Sequence, residues 1–194
     1  MRFCSNSLGP KPISFFFRSK AIKVPLVIRA ALLAEHSKRQ TMSIVRYIDG
    51  DSNRFAELMK LFFGPVYRLS QRAAWAVNYC AEHHPGLVKP YFGKLVDQLE
   101  RDVAHPAVRR NVARMLQFVD IPKRLHGRVF EACYSLVDDA DQPVAVKVFA
   151  LTVAARIAQN EPELLDELRL LADKHAPHMT VAFRVRAKRV LYAK

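Results

Sequence analysis

The histidines are the residues in this sequence that could bind a metal ion. His83 and His84 are adjacent near the end of a predicted helix, where their side chains diverge by about 100° and do not converge on one ion. His175 and His178 flank Pro177 with no cysteine nearby. A zinc site needs three or four converging ligands, so the spacing predicts no metal site.

The carboxylates are the candidates for acid–base chemistry. They form two groups, at 138–141 and 161–167, each before or within the first turn of a predicted helix. Acids there offset the partial positive charge of the helix N-terminus, so capping accounts for them. The chain has no glycine-rich phosphate loop, no nucleophile elbow and no recognisable Ser/His/Asp spacing. We therefore predict neither a catalytic centre nor a cofactor, and expect the protein not to be an enzyme.

Composition indicates a folded helical domain. The 194-residue chain is 51% hydrophobic, which is enough for a packed core, and it contains only 6 Gly. Its apolar residues recur at helical rather than alternating spacing. Cys4, Cys80 and Cys133 form no pair at metal-binding or redox spacing, so we expect reduced thiols in a cytoplasmic compartment.

Residues 1–41 differ from the rest of the chain. They hold eight Lys or Arg and one acid, whereas residues 42–194 hold 23 basic and 17 acidic residues. This segment resembles an organellar leader, or it precedes a natural start at Met42. Its apolar patch at 24–34, interrupted by Arg29, is too short to span a bilayer. We predict a disordered basic extension over residues 1–41 that contributes nothing to the fold, and a helical domain over residues 42–194.

Helix signals begin after Met42. Asp51 or Ser52 is expected to cap a helix that ends at Phe63, and Gly64-Pro65 separates it from a helix that reaches His84. Further helices are predicted to begin at or just after Pro90, Pro106, Pro122, Pro143, Pro162 and Thr180.

Four alanines mark an internal repeat. Ala76, Ala113, Ala150 and Ala187 are spaced by 37 residues each time, and an apolar residue follows each of them three positions later. A small residue at a fixed point of every second helix allows adjacent helices to approach closely, and stacked pairs bury the apolar faces that one pair leaves open. The period predicts an all-α fold, an α-α superhelix of about four antiparallel helix pairs.

The second helices of these pairs resemble those of HEAT or armadillo-like repeat proteins. Residues 108–116, Val-Arg-Arg-Asn-Val-Ala-Arg-Met-Leu, are similar to the second helix of a HEAT repeat, and residues 71–76 fit the same pattern. The chain also looks like small bacterial HEAT-like proteins of undefined role. Over about residues 51–192 the resemblance implies a curved solenoid whose second helices line the concave side. The candidate binding residues on that side are Arg72, Trp75, Arg109, Arg110, Arg114, Lys147, Arg184 and Lys188.

Three functions remain open at this point. The first is a non-enzymatic scaffold that binds a protein or peptide partner on the concave face. The second is a nucleic-acid binder, similar to HEAT-like DNA glycosylases, that uses the basic residues as a phosphate groove and Trp75 as a stacking surface. The third is a small-molecule lyase, although the chain has no signature loop rich in Ser, Met, Lys and Asn. We expect a monomer rather than an obligate oligomer, and a cytoplasmic location unless residues 1–41 are an organellar leader.

The arginines have a structural interpretation as well. In HEAT-type repeats the column that contains Arg72 and Arg109 is often used internally, where arginine pairs with acids of the adjacent turn. Asp102, Asp120 and Asp139 are the acids that could serve here. The sequence therefore leaves the choice between phosphate binding and helix stabilisation open.

Overall fold

A computed structural model describes residues 27–101 and 106–192 of the chain. Within these residues the regular structure consists of ten α-helices and short 3-10 segments, with no strand. The helices are α1 Ile28–Ala34, α2 Lys38–Ile48, α3 Ser52–Phe62, α4 Tyr67–His83, α5 Phe92–Glu100, α6 Pro106–Leu116, α7 His126–Asp138, α8 Val144–Ile157, α9 Pro162–His175 and α10 Val181–Leu191. The predicted all-α fold is confirmed.

Local signals set most of the helix ends. The Asp51 carboxylate accepts hydrogen bonds from the backbone N–H groups of Asn53 at 2.8 Å and Arg54 at 3.0 Å, as its predicted role as N-cap of α3 requires. Pro90, in contrast, does not open a helix. It lies inside the 3-10 segment Pro85–Tyr91, and α5 begins two residues later.

The helices pack in two layers. Consecutive even-numbered helices from α2 to α10 contact each other, and we call them the second layer. The odd-numbered helices form the first layer, in which the 3-10 segment Pro85–Tyr91 precedes α5 and packs against α4 and α5. Phe55 of α3 meets Tyr91 of that segment edge-on, with ring centres 5.8 Å apart. Short connections make each first-layer helix antiparallel to the second-layer helix that follows it, which gives the predicted superhelix of stacked pairs.

The four periodic alanines lie in the core of the second layer. Ala76, Ala113, Ala150 and Ala187 are all buried, on α4, α6, α8 and α10 respectively. Each of these helices contacts the next one in the layer. A larger side chain at any of the four positions would hold its neighbours apart, so the 37-residue period has the packing role predicted for it.

The N-terminal boundary of the fold differs from the prediction. α1 and the start of α2 lie within residues 1–41, and Ile28, Leu32 and Thr41 are buried against the rest of the chain. The expectation that residues 1–41 contribute nothing to the fold is therefore wrong for residues 27–41, because α1 and α2 form a further helix pair ahead of the four expected ones. Residues 1–26 lie outside the described part of the chain. None of the described helices combines the length and apolar composition needed to cross a membrane.

Candidate interaction face of the second helix layer

Charged residues are divided unequally between the two layers. α6, α8 and α10 carry nine Lys or Arg and no Asp or Glu. α5, α7 and α9 carry eight acids and only four Lys or Arg. Because the helices of a layer share one side of the stack, the potential is positive on the second-layer side and negative on the first-layer side over α5 to α10.

Several basic side chains of the second layer donate to backbone carbonyl groups at helix ends or in the turns beside them. Arg72 Nη1 donates to the carbonyl oxygens of Leu32 at 2.7 Å and Leu33 at 3.1 Å, at the end of α1. Arg184 Nη1 donates to the carbonyl oxygen of Met179 at 2.8 Å, just before α10. Such carbonyls lack a partner within their own helix, and a cation also offsets the negative end of the helix dipole. Arg72 therefore stabilises the end of α1, and Arg184 the turn that precedes its own helix.

Arg109 and Lys147 are buried, contrary to their prediction as binding residues. Arg109 is 8% exposed and donates to the carbonyl oxygen of Arg101 at the end of α5. Lys147 is 0% exposed, and its Nζ donates to the carbonyl oxygen of Val137 at 3.1 Å. Burial lowers the pKa of Lys147, because the ammonium loses more hydration than the neutral amine does. Both occupy the fourth position of their helix and face the preceding first-layer helix, so neither is placed to contact a partner.

Arg156 has a structural role in which one of the expected acids, Asp120, takes part beside backbone carbonyls. Its Nη2 lies 3.8 Å from the Asp120 carboxylate, whose side chain is fully exposed. Its Nη1 donates to the carbonyl oxygens of Leu116, at 2.9 Å, and Gln117 at the end of α6. Backbone carbonyls are thus the main acceptors, and Asp102 lies outside the described residues.

Trp75, Arg110 and Arg114 meet in an open groove across α4 and α6, which we call the basic groove. Arg110 and Arg114 are one turn apart on α6, as Gln71 and Trp75 are on α4, so the two pairs line the groove from opposite sides. The groove has a volume of about 340 Å³ and is lined by His36, Gln71, Trp75, Ala107, Arg110, Asn111 and Arg114. No carboxylate or thiol is among these lining residues.

His36 closes one end of the basic groove. It lies in the connection between α1 and α2, and its ring meets that of Trp75 edge-on with centres 5.4 Å apart. α2 runs alongside α4 from this point, since Gly50 at its far end lies beside His84 at the end of α4. Sequence reasoning misses His36 because it places residues 1–41 outside the fold, although Ser37 is a helix-capping residue type and caps α2.

The surface continues from the basic groove towards α10. The guanidinium carbon of Arg110 lies 5.9 Å from the ring centre of Phe149 on α8, within cation–π range. Arg186 Nη1 on α10 donates to Thr152 Oγ1 at 3.2 Å. We call the surface formed by these residues the second-layer face: Trp75, Arg110, Arg114, Phe149, Thr152 and Arg186.

Lys188 is not part of this face. With Arg184 it lines a different groove, between α9 and α10 at the C-terminal end of the stack. Three of the eight predicted binding residues therefore come together in the basic groove, and the other five hold helix ends or lie elsewhere.

The described thiols are not reactive, and the described residues place no metal-binding group. Cys80 and Cys133 are buried, and burial raises the pKa of each thiol to about 12, so neither is a thiolate at neutral pH. No group of three or more His, Cys, Asp or Glu within the described ranges is placed to hold a metal ion. What the second-layer face can do is bind anions beside aromatic rings.

Comparison with known proteins gives one match. The model of the HEAT repeat domain family matches residues 28–194, which includes α1 and all the helices that follow it. No curated protein and no solved structure matches the chain.

Proposed function

The chain belongs to the HEAT repeat family, and from that premise we propose that it is a non-enzymatic binding protein whose second-layer face holds an acidic segment of a partner protein. Repeats of this family commonly mediate protein–protein interactions. The observation that carries the proposal is the basic groove, where Trp75 lies beside Arg110 and Arg114 with no acid among the lining residues.

The composition of the groove suits a protein partner. Tryptophan and arginine are the residue types that most often dominate binding energy at protein interfaces. A guanidinium forms strong paired hydrogen bonds with a carboxylate, and the Trp75 ring offers a flat apolar surface beside them. Because His36 already packs against Trp75, the ring loses little conformational freedom on binding. An acidic segment with one apolar or aromatic side chain fits these groups.

The internal use of the other basic residues favours a peptide over a nucleic-acid backbone. Arg72, Arg109, Lys147, Arg156 and Arg184 all donate to carbonyl groups of the chain itself. A protein that follows a nucleic-acid backbone needs several phosphate contacts along its length. The two arginines of the basic groove suffice for a short acidic peptide.

A nucleic-acid ligand is the second candidate, because α6, α8 and α10 carry nine basic residues without a single acid. A positive surface of this kind attracts phosphates as readily as carboxylates. The two candidates differ in what binds most tightly and in how salt changes that binding, since nucleic-acid binding weakens steeply with salt.

The single tryptophan of the chain makes the test site-specific. The intrinsic fluorescence of Trp75 is followed while a twelve-residue peptide of Glu with a central Phe-Leu pair is added, and then the same peptide with Gln in place of Glu. We expect saturable quenching or enhancement by the Glu peptide and at least about tenfold weaker binding of the Gln peptide, because the carboxylates carry the attraction.

Charge reversal locates the site. The double variant Arg110→Glu/Arg114→Glu should bind the Glu peptide at least about tenfold more weakly. The control variant Lys94→Glu/Arg124→Glu makes the same charge change at exposed positions outside the second-layer face and should bind like the unchanged protein. Equal loss in both variants, or no binding of the Glu peptide, would refute the proposal. Tighter, steeply salt-dependent binding of duplex DNA or single-stranded RNA would replace it with the second candidate.

A further inference from the structure

The last helix pair leaves one flank with no packed neighbour among the described residues. α10 contacts α8 and α9, and α9 contacts α7, α8 and α10. Between α9 and α10 this flank has a groove of about 450 Å³, lined by Ala172, Asp173, Ala176, Arg184, Ala187, Lys188 and Tyr192. Beside it three aliphatic side chains project into solvent: Leu170 is 72% exposed, Val181 64% and Val185 61%. Three large aliphatic side chains exposed beside one groove indicate a contact surface.

The two helices of this flank carry opposite charges around the same apolar centre. On α9, Asp166, Leu170 and Asp173 are at helical positions i, i+4 and i+7 and therefore form one stripe. On α10, Val185 and Lys188 share a stripe, one turn apart. α9 thus presents a leucine between two acids, and α10 presents a valine beside a lysine.

These acids already take part in contacts within the chain. Asp166 is paired with Arg169 Nη1 at 2.7 Å, and Asp173 accepts a hydrogen bond from the Tyr192 hydroxyl at 3.0 Å. Tyr192 is uncharged and leaves the negative charge of Asp173 in place. Of these two acids, Asp173 is therefore the one better able to attract a cation from outside.

We propose that two copies of this chain pair through the α9–α10 flank around a two-fold axis, with α9 of each copy on α10 of the other. In that arrangement α9 of one copy runs antiparallel to α10 of the other. Asp173 then lies near Lys188 of the second copy, and the exposed Leu170 and Val185 of both copies lie within the interface. The symmetry makes each favourable contact occur twice. This pairing is independent of the proposed peptide binding, because it uses a different surface.

Charge also distinguishes this pairing from a head-to-tail chain of copies. A head-to-tail contact would set α10 against α2 and α9 against α1. α1 and α2 carry four Lys or Arg and no acid, so the basic α10 would face like charges there. The structure therefore favours a closed dimer over an open-ended filament.

The size of the flank indicates a weak dimer. α9 has 14 residues and α10 has 11, which corresponds to lengths of about 21 and 16 Å. With an interaxial distance of about 10 Å, two such helices cover roughly 400 Å² per copy. About 800 Å² in total is below the ~1,200 Å² at which stable complexes begin, so we expect a dissociation constant in the range of tens of micromolar or above.

Sedimentation velocity of the full chain from micromolar to several hundred micromolar tests this proposal. We expect the weight-average mass to rise with concentration towards twice the monomer mass and no further. Val185→Asp should abolish the rise, because it places a carboxylate among the aliphatic side chains of the interface. Val66→Asp is the matched control, since Val66 is 49% exposed in the connection before α4, and it should leave the rise unchanged.

A charge exchange tests the orientation. Lys188→Glu and Asp173→Lys should each weaken the association several-fold, and the double variant should recover most of it, provided that circular dichroism shows all of them folded. A monomer at every concentration, equal association of Val185→Asp and the unchanged protein, or assemblies larger than a dimer would overturn the proposal.

Discussion

Replacement of Arg156 by alanine tests whether the second-layer arginines stabilise helix ends. The Arg156 side chain is 41% exposed. Its Nη1 donates to the carbonyl oxygens of Leu116, at 2.9 Å, and Gln117, and its Nη2 donates to that of Val119 at 3.3 Å. One side chain of α8 therefore satisfies three carbonyl groups at and beyond the end of α6, which fixes the two neighbouring helices in register.

The expected loss follows from these three contacts. A hydrogen bond with a charged donor contributes about 1.5–3 kcal/mol when it is shielded from water. Water replaces much of this at a half-exposed site, so we expect Arg156→Ala to lower the free energy of unfolding by about 1–2 kcal/mol in all. For a chain of this size that corresponds to a decrease in Tm of about 2–8 °C. Arg156→Lys keeps the charge but not the planar fork that reaches several carbonyls, so it should lose about half as much.

Urea unfolding followed by far-UV circular dichroism measures both losses. Arg124→Ala is the control, because Arg124 is an exposed arginine in the turn before α7 and holds no helix end in the contacts described above. If Arg156→Ala and Arg124→Ala agree within about 0.5 kcal/mol, the carbonyl contacts contribute nothing measurable, and the helix-end role of the arginines is wrong.

Three further predictions follow from buried residues. Ala113→Leu should lower the unfolding free energy by about 1–3 kcal/mol because it pushes second-layer helices apart. Ala182→Leu, at an exposed position of α10, should leave it unchanged, and denaturant unfolding measures both variants. Because burial lowers the pKa of Lys147, the unfolded chain binds that proton more readily. The unfolding free energy of the unchanged protein, compared with that of Lys147→Met, should therefore rise as the pH increases from the lowered pKa of Lys147 towards the ordinary value of 10.5. A difference between the two proteins that stays constant with pH would contradict this. In a variant with Cys4 replaced by Ser, Cys80 and Cys133 should react with a thiol reagent only after unfolding, because both thiols are buried and have a pKa of about 12. Rapid reaction of the native protein would show that the core opens.

The helix pairs were predictable from sequence because their signals are local or periodic. The alanine period identifies the positions where adjacent helices touch, and Asp51 is a capping residue type at the start of α3. α1 and α2 were not predictable in the same way. α1 has only seven residues, and the basic composition of residues 1–41 obscures the short apolar pattern that buries Ile28 and Leu32.

The binding residues were predictable only in part because residue type does not reveal which neighbour a side chain meets. Lysine and arginine ordinarily lie at the surface, yet Lys147 is fully buried and donates to the end of the preceding helix. The carbonyl groups that accept from Arg72 and Arg156 lie some 40 residues earlier in the chain. No spacing rule within a single helix predicts such partners, whereas Trp75, Arg110 and Arg114 share a groove because the repeat itself aligns α4 with α6.

The most direct test of the proposed binding face is a map of the residues that a ligand perturbs. Two-dimensional ¹H–¹⁵N NMR of the labelled protein, titrated with the Glu peptide, reports on every backbone amide and on the single indole N–H, that of Trp75. We expect the largest saturable shifts at this indole and at the amides of α6 around Arg110 and Arg114. Shifts concentrated on α5, α7 and α9, with the Trp75 indole unmoved, would contradict the account.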